Sequence, residues 1–177
     1  MAWIRQRLRQ LKLLVFDVDG VLTDGGLLYG PDGQIGRSFN ARDGLGIKVL
    51  QEAGLQLAWI SGGRGESIAR RAQDLGIVHC FSAVKDKSAV LAALQQELGL
   101  SAAETGFVGD DLNDLVVLQQ VALLITPADA AQSVRHQADL VLRSKGGQGA
   151  VRELAEQLLR ARGEWAELER CGWCQSN

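Results

Sequence analysis

Asp17 and Asp19 stand two residues apart behind the apolar run that begins at Leu11, and Gly20 follows at once. A second acidic group, Gly109-Asp110-Asp111 with Asn113-Asp114, follows the run Thr105–Val108. Ser61-Gly62 closes Leu57–Ile60, and Lys87 opens a segment with helical spacing. Carboxylates brought to one spot repel each other, and their pKa values rise unless a cation neutralises them. An all-oxygen donor set with no His or Cys nearby suits Mg²⁺, which a few carboxylates hold while its waters stay exchangeable for a substrate phosphate. With that charge balanced, Asp17 is placed as a nucleophile that forms an aspartyl-phosphate. If the chain turns sharply at Gly20, Asp19 can protonate the leaving alkoxide and then activate the hydrolytic water. The Ser61 hydroxyl, backbone N–H groups beside it and the Lys87 ammonium supply donors for the charge spread over a transferring phosphoryl group.

None of these fragments is specific alone, because Asp-x-Asp, Gly-Asp-Asp and Ser-Gly all occur in ordinary turns. Their position is what joins them, since each follows an apolar run of strand length. Such runs cover Leu11 to Phe16, Leu57–Ile60, Thr105–Val108, Ala122–Ile125 and Leu140–Leu142, with helical spacing between them at Leu45–Ala53, Ser67–Leu75, Ser88–Leu98 and Leu112–Val121. The alternation predicts an α/β, doubly wound, mostly parallel sheet buried on both faces. In such sheets ligands bind outside the carboxyl ends of the strands, where these polar residues fall. Gly30-Pro-Asp-Gly33 between Leu27–Tyr29 and Gln34–Asn40 predicts a β-hairpin just beyond the first strand. Ser101-Ala-Ala-Glu104 has capping-box spacing before the Thr105 run.

At 177 residues and 46% hydrophobic content, the chain is expected to form one domain over 1–177, with its core at about 11–160 and a C-terminal tail, 163–177. A formal net charge of −2 provides no broad basic field for nucleic acid or an anionic membrane, so a small substrate is expected. No apolar run approaches the roughly 18 residues of a membrane span, and nothing resembles a signal peptide, so a cytoplasmic protein is expected. The basic N-terminal segment, with Trp3, Ile4 and Leu8 among its arginines, reads as a short amphipathic lead-in. Three cysteines do not form a secreted disulfide framework. Cys80 reads as a buried core residue, and the Cys171-x-x-Cys174 pair as incidental, because no second pair or histidine completes a zinc set. His79 and His136 read as structural or surface residues.

Taken together, Asp17-Val-Asp-Gly-Val-Leu-Thr-Asp24, Ser61-Gly62, Lys87 and Gly109-Asp-Asp-Leu-Asn-Asp114 resemble the four motifs of the haloacid dehalogenase superfamily. With no room for a cap domain between the motifs, the chain resembles its capless 3-deoxy-D-manno-octulosonate 8-phosphate phosphatases. Phe39-Asn-Ala-Arg-Asp-Gly-Leu-Gly-Ile47 and Gly146-Gly-Gln-Gly-Ala-Val-Arg-Glu153 agree, and the likeness runs from about Leu11 to Leu159. The resemblance implies a Mg²⁺-dependent phosphatase for a phosphorylated sugar acid, and a homotetramer whose hairpins pack together. It makes Asp17 nucleophile and metal ligand, Asp19 acid/base with its backbone carbonyl on the metal, and Asp110 the further metal ligand. Asp111, Asn113 and Asp114 are implied to support the metal site, Ser61, Gly62 and Lys87 to bind phosphate, and Arg71 to approach the substrate carboxylate.

One position departs from the pattern. Relatives carry a long charged side chain after Ser-Gly, where this chain has Gly63 followed by Arg64. Either Arg64 reaches in to bind substrate, or Gly63 enlarges the pocket for a nine-carbon sugar-acid 9-phosphate. A reading from another class is a phosphoacceptor receiver module, which would hold a stable aspartyl-phosphate without turnover. Its acidic pair and phosphoacceptor would follow different strands, whereas here both carboxylates follow the first.

Overall fold

The structure is a computed structural model and describes residues 2–172. Helix α1 (Ala2–Gln10) leads into strand β1 (Leu13–Phe16), followed by a short ribbon of β2 (Leu28–Tyr29) and β3 (Ile35–Gly36). Then come α2 (Ala41–Glu52), β4 (Gln56–Ile60), α3 (Glu66–Leu75), β5 (His79–Phe81), α4 (Lys87–Leu98) and β6 (Thr105–Val108). A 3₁₀ helix over Leu112–Gln120, β7 (Leu123–Thr126), α5 (Gln132–Gln137), β8 (Leu140–Val141), α6 (Ala150–Arg162) and α7 (Trp165–Cys171) complete the order.

Six strands form one parallel sheet in the order β5-β4-β1-β6-β7-β8, as the doubly wound expectation requires. All four residues of β1 are fully buried, because its alternate side chains enter two different cores. Leu14 and Phe16 join Leu57 and Trp59 under α1, α2, α3 and α6, while Leu13 and Val15 join Ala58 and Ile60 over Leu91 and Leu94 of α4, Val117 and Val134. A strand sealed on both sides must read as an unbroken apolar run, which is why β1, β4, β6 and β7 were visible in the sequence. Phe16 pairs with Trp59 on one side and Val108 on the other, so the residues leaving β1, β4 and β6 emerge along one edge.

The short elements differ from expectation. β5 was missed because a three-residue edge strand, His79-Cys80-Phe81, makes no apolar run, and Cys80 is half-buried there instead of lying fully in the core. α5 and α6 were not among the expected helices, and the segment after the second acidic group is 3₁₀. The capping box at Ser101 is present, with the Ser101 N–H and hydroxyl on Glu104 at 3.0 and 2.7 Å. The lead-in is a helix whose Leu8 is buried, and the start of the tail is α7; Trp173 and Cys174 lie outside the described residues. Among the described residues no helix is long and apolar enough to cross a membrane.

The hairpin forms with shorter arms than its sequence suggested: Leu28 pairs with Gly36 and Tyr29 with Ile35. Its turn closes through the Gly30 N–H on the Gln34 carbonyl (2.9 Å). Leu28 and Tyr29 are 69% and 72% exposed. Beyond β3 the chain leaves the ladder, and Asn40 caps α2 by accepting the Arg42 N–H (2.8 Å).

Candidate active site

Asp17 is the first residue past β1 and is almost fully buried, with its N–H tied to the Val108 carbonyl (2.8 Å). Its Oδ1 accepts the Val18 N–H (2.7 Å), and its Oδ2 lies 3.1 Å from the Lys87 ammonium. Lys87 is the first residue of α4, buried, and also donates to Asp114 Oδ1 at 2.6 Å. The second oxygen of Asp114 accepts the N–H groups of Asp110 (2.9 Å) and Asp111 (3.3 Å), so both its oxygens are committed to the protein. Asp110 differs: its Oδ1 is buried with no hydrogen-bond partner among the described residues.

One carboxylate oxygen each from Asp17, Asp110 and Asp114 lie within 4.8 Å of one another. Burial, then the Asp17, Asp114 and Asp111 charges, push the Asp110 carboxyl up to about 8. Burial and the Asp114 charge push Asp17 up to about 6 against the pull of Lys87 and the Val18 N–H. Burial alone would lower the Lys87 ammonium, but the Asp17 and Asp114 charges and its hydrogen bonds to both hold it above its ordinary value. Three carboxylates against one ammonium leave an excess of negative charge in a largely buried group, and a buried Asp110 oxygen lacks a donor among the described residues. A divalent cation meets both needs, so the residues present fit one.

The backbone enforces this packing. Gly20 has φ +85°, and a Cβ there would sit 2.0 Å from Asp110 Oδ2, so the turn after Asp19 and the placement of Asp110 depend on the same missing side chain. Gly146 presses on that turn from outside, where a Cβ would lie 1.8 Å from the Gly20 carbonyl oxygen, and the Gly147 N–H bonds the Val21 carbonyl (2.9 Å).

Asp19 does not point into this group. Its carboxylate is gripped by Arg37, with Nε on Oδ1 at 2.6 Å and Nη2 on Oδ2 at 3.0 Å. Ser61 is buried at the end of β4, and its Oγ accepts the Gly63 N–H (3.0 Å). Gly62 is exposed above the Val84 carbonyl, with the Asn113 amide nearby. Asp111 is exposed and caps the 3₁₀ helix through the Leu112 N–H (2.7 Å), outside the three-carboxylate group. The Arg64 side chain is exposed, and its carbonyl accepts Arg37 Nη1 (2.8 Å). Arg71 lies with its guanidinium 5.8 Å over the Phe39 ring and 3.4 Å from the Asn40 carbonyl.

Two features escaped the sequence. Arg37 carried no motif, since its partner lies 18 residues back across a turn. The central place of Asp114 had a signal that went unused: Asp111-x-x-Asp114 is itself capping-box spacing, which turns the second carboxylate back onto the N-cap N–H.

A haloacid dehalogenase-like hydrolase family matches residues 72–154. The 3-deoxy-D-manno-octulosonate 8-phosphate phosphatase KdsC of Haemophilus influenzae is 39% identical over 161 residues, spanning 91% of this chain and 89% of that one. The chain belongs to this phosphatase family. Solved octulosonate phosphatases share its fold. The Moraxella catarrhalis enzyme, in complex with magnesium, phosphate and 3-deoxy-D-manno-octulosonate, superposes with a TM-score of 0.91 at 34% identity over 96% of this chain and 98% of that one. The cobalt-bound Haemophilus influenzae enzyme gives 0.86 at 40% identity over 89% and 92%. Membership in the octulosonate phosphatases sets aside the receiver module, whose aspartyl-phosphate would not turn over.

Proposed function

We propose that this chain hydrolyses 3-deoxy-D-manno-octulosonate 8-phosphate to the free sugar acid and phosphate, using Mg²⁺. The observation that carries the proposal is the buried Asp17–Asp110–Asp114 group, with an orphaned Asp110 oxygen beside the Lys87 ammonium, in a chain of this family. Asp17 and Asp110 would hold the ion together with the Asp19 carbonyl, and when bound it would offset their charge and that of the phosphate. Asp17 Oδ attacks phosphorus and the alkoxide leaves with a proton from Asp19, giving an aspartyl-phosphate. Asp19 then takes a proton from the water that hydrolyses it. Ser61, the N–H groups beside Gly62 and the Lys87 ammonium bind the equatorial oxygens, and Asp114 keeps Lys87 in place. Asp111 and Asn113 shape the loop around Asp110, while Arg64 and Arg71 are the guanidinium groups assigned to the sugar-acid end.

The alternative substrate is a nine-carbon sugar-acid 9-phosphate, for which an opening of the pocket at Gly63 is one hypothesis. A Cβ there would meet Asp19 Oδ2 at 2.4 Å and Arg37 Nη2 at 2.7 Å, so those side chains stand beside the glycine, and the likeness to octulosonate phosphatases supports the eight-carbon substrate. A homotetramer is proposed with the function, supported by the exposed apolar tip of the ribbon at Leu28 and Tyr29. A cytoplasmic location and a single domain with its core at 11–160 are proposed with it, on the composition and length.

The test is phosphate release from 3-deoxy-D-manno-octulosonate 8-phosphate with and without Mg²⁺, for wild type and Asp17→Asn. Release that needs the metal and vanishes in the variant is expected; wild type inactive on this compound and active on a nine-carbon 9-phosphate would replace the substrate.

A further inference from the structure

We propose that Arg37 is the positioning residue for Asp19, seated in the space beside Gly63. The inference rests on the reading of Asp19 as the acid/base. The Arg37 guanidinium uses four donor contacts: Nε and Nη2 hold both oxygens of Asp19, while Nη1 donates to the Arg64 carbonyl (2.8 Å) and the Ser67 hydroxyl (3.2 Å). Ser67 in turn donates to the Ile35 carbonyl (3.0 Å), which ties α3 to the ribbon strand just before Arg37. The Arg37 side chain is 1% exposed and that of Asp19 27%, so the cation is sealed behind its partner and the carboxylate keeps an open side.

A bidentate fork fixes the plane of a carboxylate as well as its position, which a single ammonium does not. Asp19 is thereby held beside Ser61 and Gly63, with its rotamer chosen before substrate arrives. Position 63 is part of the same device. A Cβ there would stand 2.4 Å from Asp19 Oδ2 and 2.7 Å from Arg37 Nη2, and one at Gly65 would stand 3.3 Å from Arg37 Nη1. A side chain after Ser61-Gly62 would therefore have to displace the ends of Arg37 and Asp19 from this pairing. In this chain the charged group at that end of the site comes from Arg37.

The test compares wild type, Asp19→Asn, Arg37→Ala, Arg37→Lys and Gly63→Ala on the sugar-acid phosphate and on p-nitrophenyl phosphate, whose leaving group needs no proton. With Arg37→Ala, kcat on the sugar-acid phosphate should fall about 100-fold, the lower end of what a placed acid or base contributes, with KM within about threefold. On p-nitrophenyl phosphate the same variant should release about one equivalent of p-nitrophenol rapidly and then turn over slowly, because hydrolysis of the aspartyl-phosphate still needs Asp19. Arg37→Lys should recover part of kcat, and Gly63→Ala should reproduce the burst with Arg37 intact. If Arg37→Ala fails to fold, Gly63→Ala decides. A burst in Asp19→Asn but not in the Arg37 and Gly63 variants, or a change confined to KM, would overturn this proposal and leave the acid/base reading standing. Wild type inactive on both substrates would overturn the two together.

Discussion

Asp110→Asn should stabilise the metal-free protein at alkaline pH while abolishing its response to Mg²⁺. The Asp110 carboxyl, ordinarily at 3.8, is pushed up to about 8 chiefly by burial and then by Asp17 and Asp114. Because the folded-state value is raised, the folded chain binds more protons than the unfolded chain between the two values, so stability falls as pH rises from about 4 to about 8. The difference is about 4 units, and at 1.36 kcal/mol per unit the ceiling is between 5 and 6 kcal/mol. Relaxation and water entry in a site that is not sealed reduce this by roughly half, to about 3 kcal/mol. For a chain of this size that corresponds to about 6–12 °C in Tm. The assay is thermal melting in EDTA at pH 5, 7 and 9, repeated with Mg²⁺. Wild type should lose stability across the series, through Asp110 and, at lower pH, through Asp17, which is pushed up to about 6. The variant should match wild type at pH 5 and exceed it at pH 9. With Mg²⁺ the order at pH 9 should reverse, since the ion stabilises only the chain that binds it. A variant no more stable than wild type at pH 9 in EDTA would refute the reasoning.

Lys87→Met removes the buried cation shared by Asp17 and Asp114 and should cost about 3–5 kcal/mol in urea unfolding at neutral pH, the usual consequence of leaving buried charge without its partner. Gly20→Ala places a methyl group where Asp110 Oδ2 now lies and should weaken Mg²⁺ binding by calorimetry about 10–100-fold, the range seen when a group supporting a metal ligand is disturbed. Replacing Leu28 and Tyr29 together by Glu should shift the sedimentation coefficient toward the monomer if hairpins meet in the assembly, and leave it unchanged if they do not.

How much was legible follows from how each feature is encoded. β1, β4, β6 and β7 are central and buried on both faces, so burial wrote them as apolar runs, and the polar residues behind them stood out. The edge strand β5 and the two-residue arms of the ribbon carry no such requirement. The three-carboxylate group was nearly complete in the sequence because Asp17 directly follows β1 and Asp110 follows the neighbouring β6 after a single glycine. The Asp19–Arg37 pair was not, because it joins a turn to the return arm of a hairpin whose path no periodicity describes. Gly63 showed only as a missing charge. That the Arg37 guanidinium lies beside it could only come from three-dimensional packing.

The ribbon that carries Arg37 has two residues in each strand, too few to hold a fixed shape in water unaided. Its apolar tip and the arm that grips Asp19 belong to one short lever, anchored at the far end by the Asn40 cap and along its length by Ser67. A subunit resting on Leu28 and Tyr29 would therefore also brace the arm that holds Asp19. On the assembly proposed for this chain, catalytic competence becomes a collective property: dilution that separates subunits would loosen the lever and depress specific activity without unfolding any one of them.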